Sequence, residues 1–170
     1  MRPQPKSGSS LRRVLNGGRE THNPMSHQQA KMSREEVAAF IEREFPQMHY
    51  DGRLYHIEEV GALYARLRMD YHERHVRPGG TLSGPAMMTL ADFALYVAVL
   101  ANVGPVALAV TTNLSFNFLH KPQAERGLAA DCRLLKLGRR LAVGEVTIRS
   151  EGEADIVCHA TGTYSIPERR

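Results

Sequence analysis

The run from Arg77 to Pro105, RPGGTLSGPAMMTLADFALYVAVLANVGP, limits what this chain can fold into more than any other part of it. Ser83-Gly84-Pro85 reads as a helix start, because serine or glycine is favoured just before a helix and proline at its first position. Asn102-Val103-Gly104-Pro105 has the glycine-then-proline pattern of a helix stop. Between them the spacing predicts one helix of about five turns, roughly 28 Å long. It is apolar almost all round, with Met87, Met88, Leu90, Phe93, Leu95, Val97, Val99 and Leu100. Such a helix is buried inside a protein or a membrane. Its one charge, Asp92, stands near the middle. A buried carboxylate without a partner is costly. Two readings of Asp92 therefore stand: it bonds loop amides or marks an exposed stripe, or it is a catalytic carboxylate in an apolar setting.

Around this helix the pattern is mostly that of strands. Ser33-Arg34-Glu35-Glu36 forms a capping box that opens a first helix, whose apolar stripe is Val37, Phe40, Ile41 and Phe45 and whose stop is Pro46. Arg53–Glu59 and the alternating run Leu63–Asp70 read as two strands. After Pro105 the period returns to two. Leu108, Val110, Thr112, Leu114, Phe116 and Phe118 face one way; Thr111, Asn113, Ser115 and Asn117 face the other. Leu128–Leu137, Leu141–Ser150 and a last strand lined by Ile156, Cys158, Ala160, Gly162, Tyr164 and Ile166 follow as a meander. An antiparallel sheet with one buried helix must curl around that helix to cover it, so the fold class is α+β.

Charge separates the chain into two parts. The formal charge is +4, yet residues 1–32 hold six Lys/Arg and one Glu, and the remaining residues are close to neutral. Residues 1–32 have no periodicity and read as a disordered basic tail; residues 33–170 read as a single domain. The near-neutral body argues against a nucleic-acid partner, and Asp92 argues against a membrane span. The first 32 residues carry no apolar segment of a secretory signal, so a cytoplasmic location is expected. Cys132 and Cys158 imply no disulfide framework and fit strand interiors. His72 and His75 lack a third ligand at metal spacing, so no metal is expected.

A glycine-containing turn, a buried helix opened by a glycine with an acid eight residues on, and the strand TTNLSFNFLHKP together resemble the hotdog-fold thioesterases. The similarity is greatest to the phenylacetate-pathway (PaaI-like) and 4-hydroxybenzoyl-CoA thioesterase group, and it covers roughly residues 50–166. It implies a curved antiparallel sheet wrapped around a long central helix. It implies hydrolysis of a small or medium acyl- or aryl-CoA, without a cofactor, by a homodimer or a dimer of dimers. Leu90-Ala91-Asp92 matches the family's acidic catalyst, and Gly84 matches the glycine whose amide polarises the thioester carbonyl. Ser83 stands where the family usually has histidine, Pro85 replaces a second glycine, and Arg77 stands where Asn or Gln is common. These departures favour the alternative, a non-catalytic hotdog module that binds acyl-CoA as sensor or carrier.

Eight residues separate Gly84 from Asp92, about 12 Å along a helix. One carbonyl cannot contact both at about 3 Å within one subunit. The expected site therefore joins Gly84 of one subunit to Asp92 of another. Further candidates for the substrate are Arg77, Ser83, Tyr96, Thr112 and Asn113. His120, Lys121, Arg139 and Arg140 are candidates for the CoA phosphates.

Overall fold

The structure is a computed structural model that describes residues 29–50 and 52–168. Most of the expected basic tail lies outside the described residues. Its last two positions are already tied to the domain, since the Lys31 and Met32 amides both donate to the Ala101 carbonyl, at 2.7 and 3.1 Å. The chain runs α1 (Arg34–Glu44), β1 (Tyr55–Gly61), β2 (Tyr64–Met69), a short hairpin of β3 (Val76–Arg77) and β4 (Thr81–Leu82), then α2 (Gly84–Val103). Four strands complete it: β5 (Val110–Phe118), β6 (Leu128–Leu137), β7 (Leu141–Ser150) and β8 (Ile156–Ser165).

α2 begins and ends where its punctuation places it. Ser83 is the N-cap, and its hydroxyl accepts from the Ala86 amide; Gly104 caps the far end at φ 98°, a conformation that favours glycine. The capping box of α1 has both of its reciprocal bonds, Glu36 N–H to Ser33 Oγ and Ser33 N–H to Glu36 Oε2. Val37, Phe40 and Ile41 bury the inner face of α1, whereas Phe45 has left the helix and stands partly exposed as its C-cap.

β1, β2, β6, β7, β8 and β5 form one antiparallel sheet in that order. After β2 the chain crosses by way of α2 to the far edge, lays down β5, and returns to the middle with β6. All six strands touch α2, so the sheet wraps the helix. Alternation supplies the lining: Ala65, Leu67 and Met69 from β2, Leu128, Ala130 and Cys132 from β6, and Val146 and Ile148 from β7 are all fully buried. α2 is long and apolar enough to cross a membrane, but it is the core helix of this sheet, with most of its surface covered. Both cysteines are buried and free.

Two details fix the helix against the sheet. Asn102, 1% exposed, donates to the Ala98 and Gly61 carbonyls and accepts from the Leu63 amide, which pins the β1–β2 turn to the end of α2. At mid-sheet, Gly144 and Gly162 are cross-strand partners on β7 and β8. A Cβ at either would fall 2.6 Å from a methyl of Leu95, so these glycines admit the helix close to the strands.

Candidate functional site

Asp92 sits one turn before Leu95, on the side of α2 that meets β5 and β8. Its carboxylate is not left alone. Thr111 on β5 donates to Oδ1 at 2.6 Å, and Tyr164 on β8 donates to the same oxygen at 2.6 Å. The Tyr164 hydroxyl also lies 3.0 Å from the Asp92 carbonyl. Burial, then the Asp92 charge beside it, push the Tyr164 phenol well above its ordinary range, so it stays a donor. One turn along, the Tyr96 ring stacks on Tyr164 with centroids 6.4 Å apart. The Tyr96 hydroxyl turns to the Ala107 carbonyl at 3.3 Å rather than to the acid.

These groups open onto a cavity of about 720 Å³ whose other walls include Phe45, Met48, Met88, Phe93, Leu114 and Phe116. It is an apolar pocket with a few converging polar atoms, the usual form of a small-molecule site. Phe45 closes one side edge-on against Tyr96, ring centroids 6.4 Å apart.

Thr112 and Asn113 do not line it in one protomer. Thr111 pairs with Tyr164 and Asn113 with Thr163, which leaves Thr112 as the extra residue of a bulge. A bulge opposes two residues to one and shifts the alternation. Leu114 and Phe116 beyond the bulge keep the inward phase read from the sequence, but before it the inward residue is Thr111. Thr112 is exposed and donates to the Thr163 carbonyl at 3.1 Å. Tyr164 was legible only as one residue on the buried face of β8; the signal available was a tyrosine among Ala160, Gly162 and Ile166, whose hydroxyl needs a partner.

Gly84 is the first residue of α2, beside the Phe118 ring, and does not line the Asp92 cavity. The first amides of a helix have no intrahelical acceptor and sit at the positive end of its dipole. Ser83 serves as the cap. Arg77 is exposed on β3 in the hairpin that leads to it, where Gly79 and Gly80 turn the chain at positive φ. His120 and Lys121 are exposed just past the end of β5, where a His120 ring nitrogen lies 3.1 Å from the Ile156 carbonyl. Arg139 and Arg140 occupy the β6–β7 turn at the opposite end of the sheet, and Arg140 pairs with Glu168. One protomer therefore does not gather these four cations. His72 caps a short 3-10 turn that ends at His75, and the Arg74 backbone amide donates to His72 Nδ1.

Residues 79–157 match the model of the thioesterase superfamily. A protein of Saccharolobus solfataricus, provisionally named an esterase, is 30% identical over 135 residues, covering 79% of this chain and 80% of its own. The crystal structure of a provisionally named thioesterase from Silicibacter sp. TM1040 is 43% identical, with a TM-score of 0.76 over 84% of this chain and 97% of that one. The phenylacetic acid degradation protein PaaI of Thermus thermophilus, solved as a point mutant, is 25% identical, with a TM-score of 0.58 over 66% of this chain and 93% of that one. With its six-stranded antiparallel sheet wrapped around α2, this chain belongs to the thioesterase superfamily and has the hotdog fold.

Proposed function

We propose that the protein is an acyl-CoA thioesterase in which Asp92 is the catalytic carboxylate and the Gly84 amide holds the oxyanion. The observation that carries this reading is the Asp92 carboxylate in the wall of a largely apolar cavity, held there by two hydroxyls. Asp92 acts in one of two ways. It attacks the acyl carbon, the C–S bond breaks, CoA leaves as a thiolate that takes a proton from water, and a water molecule cleaves the resulting anhydride to the free acid and the Asp92 carboxylate. Otherwise it takes a proton from water, the hydroxide attacks the same carbon, and the departing sulfur takes the proton. In both routes charge grows on the carbonyl oxygen, where a helix N-terminal amide stabilises it. Protein groups and water suffice; neither metal nor redox cofactor enters.

The site is shared between two protomers in this reading. β5 is an edge strand, and Val110 and Phe118 on it and Leu119 just past it are about half exposed. Gly84 lies at its Phe118 end and Asp92 at its Thr111 end. If β5 pairs antiparallel with its copy, Gly84 of one protomer comes to Asp92 of the partner subunit, which the spacing along α2 requires. The same pairing carries His120 and Lys121 toward the end of the sheet that bears Arg139 and Arg140 of the partner subunit. A CoA nucleotide then meets cations from both chains.

Free-thiol release from a panel of acyl-CoAs, short aliphatic to aryl, tests the reading. Turnover is expected with at least one class and is expected to collapse in Asp92→Asn with the fold intact. Full turnover in that variant would remove Asp92 from the site. Binding without turnover across the panel would make the protein an acyl-CoA sensor or carrier.

A further inference from the structure

Asp92 meets its two hydroxyl partners at one oxygen only. Thr111 Oγ1 and Tyr164 Oη each lie 2.6 Å from Oδ1, in the short range of hydroxyl–carboxylate bonds. Among the described residues, no hydrogen bond reaches Oδ2. From this asymmetry we infer that Tyr164, assisted by Thr111, is a positioning residue that ties Asp92 by Oδ1 and aims Oδ2 at the acyl carbon or the attacking water. The inference rests on the reading of Asp92 as the catalytic carboxylate.

Three further features fit this role. The Tyr164 hydroxyl spans the Asp92 side chain and its main-chain carbonyl, so it fixes the side chain relative to α2 rather than holding its tip alone. Tyr164 is 3% exposed, and its ring is stacked on Tyr96, which restrains the phenol. Thr111 reaches Oδ1 only because the β5 bulge turns it inward, and it pairs directly with Tyr164 across the β5–β8 ladder. Two strands and the helix thus converge on one carboxylate oxygen. A reacting group held in a near-attack position gains rate through orientation, and small misplacements are costly. Neither hydroxyl exchanges a proton in the reaction; each donates throughout, and the chemistry passes through Oδ2.

The test measures kcat, KM and thermal unfolding for Tyr164→Phe, Thr111→Val, Thr111→Ser and Asp92→Asn, on the acyl-CoA the wild-type protein turns over fastest. For Tyr164→Phe, kcat is expected to fall about 10–100-fold with KM changed less than about threefold, the pattern of a lost orienting contact. Thr111→Val is expected to lose kcat and Thr111→Ser to restore most of it, because serine keeps the donor. Wild-type kcat in Tyr164→Phe and Thr111→Val beside an inactive Asp92→Asn would overturn the positioning role and leave Asp92 as the catalyst. A raised KM with unchanged kcat would make both residues mere cavity wall and would also overturn it. Full turnover in Asp92→Asn would remove the reading on which the inference stands. If Tyr164→Phe unfolds, the Thr111 pair decides, because valine and serine differ there by the donor.

Discussion

At Gly84 the side chain and the amide separate cleanly. A Cβ there would lie 3.4 Å from Phe118 Cζ, an ordinary contact, so Gly84→Ala is expected to fold and to keep activity within a few-fold. Gly84→Pro removes the N–H at the first helical position, where proline is favoured, and Ser83 before it is already extended at φ −80°, ψ 160°. Because the new proline precedes Pro85, which disfavours helical backbone before it, thermal unfolding of the variant is measured beside its kinetics. If this amide holds the oxyanion, kcat for Gly84→Pro falls about 10²–10³-fold, the usual cost of one lost oxyanion donor. Steady-state kinetics of the two variants check it; equal activities would place the oxyanion elsewhere. Asp92 stands out in the sequence because a single charge in an apolar helix is a local anomaly, whereas Gly84 stands out only through the resemblance, since glycine at a helix start is ordinary. The contacts of Tyr164 and Thr111 to Asp92 are not legible there, since they exist only where strands far apart in sequence meet the helix.

Element boundaries are encoded more locally than the faces that elements present. The caps of α1 and α2 and the turns of the β6–β7–β8 meander are encoded within a few residues each, and the observed spans of β6 and β7 coincide with those expected. The phase of β5 is different. Its alternation is set by pairing with β8, and one extra residue at Thr112 reverses the facing of everything before it. The seat of α2 is likewise a matter between elements. Leu95 fits between strands only because Gly144 and Gly162 lack side chains, and a Cβ on Gly162 would also meet Leu114 Cδ2 at 2.7 Å. Gly162→Ala is therefore expected to cost about 1–3 kcal/mol by overpacking. Trimming the opposing side chain in the double variant Gly162→Ala/Leu95→Val should recover part of that loss, because contacting residues couple. Chemical denaturation of both variants gives the answer. Losses that simply add would mean that Leu95 does not press on this strand.

For the whole molecule, the decisive question is which Gly84 serves which Asp92. Within one protomer the two stand at different ends of the interface between α2 and β5: Gly84 against Phe118 and Asp92 against Thr111. Along α2 the two residues that make those contacts are about 12 Å apart. A two-fold antiparallel pairing of β5 exchanges the ends and builds two equivalent mixed sites. This makes a prediction that no single-chain site shares. Asp92→Asn and Gly84→Pro are each expected to lower turnover at least about 100-fold when each variant pairs only with itself. Co-expressed under two different affinity tags and purified through both, their heterodimer has one site with both lesions and one with neither. It is expected to recover about half the wild-type rate per dimer. If Gly84 and Asp92 acted within the same chain, each site of the heterodimer would carry one lesion, and the mixture would be as inactive as its parents.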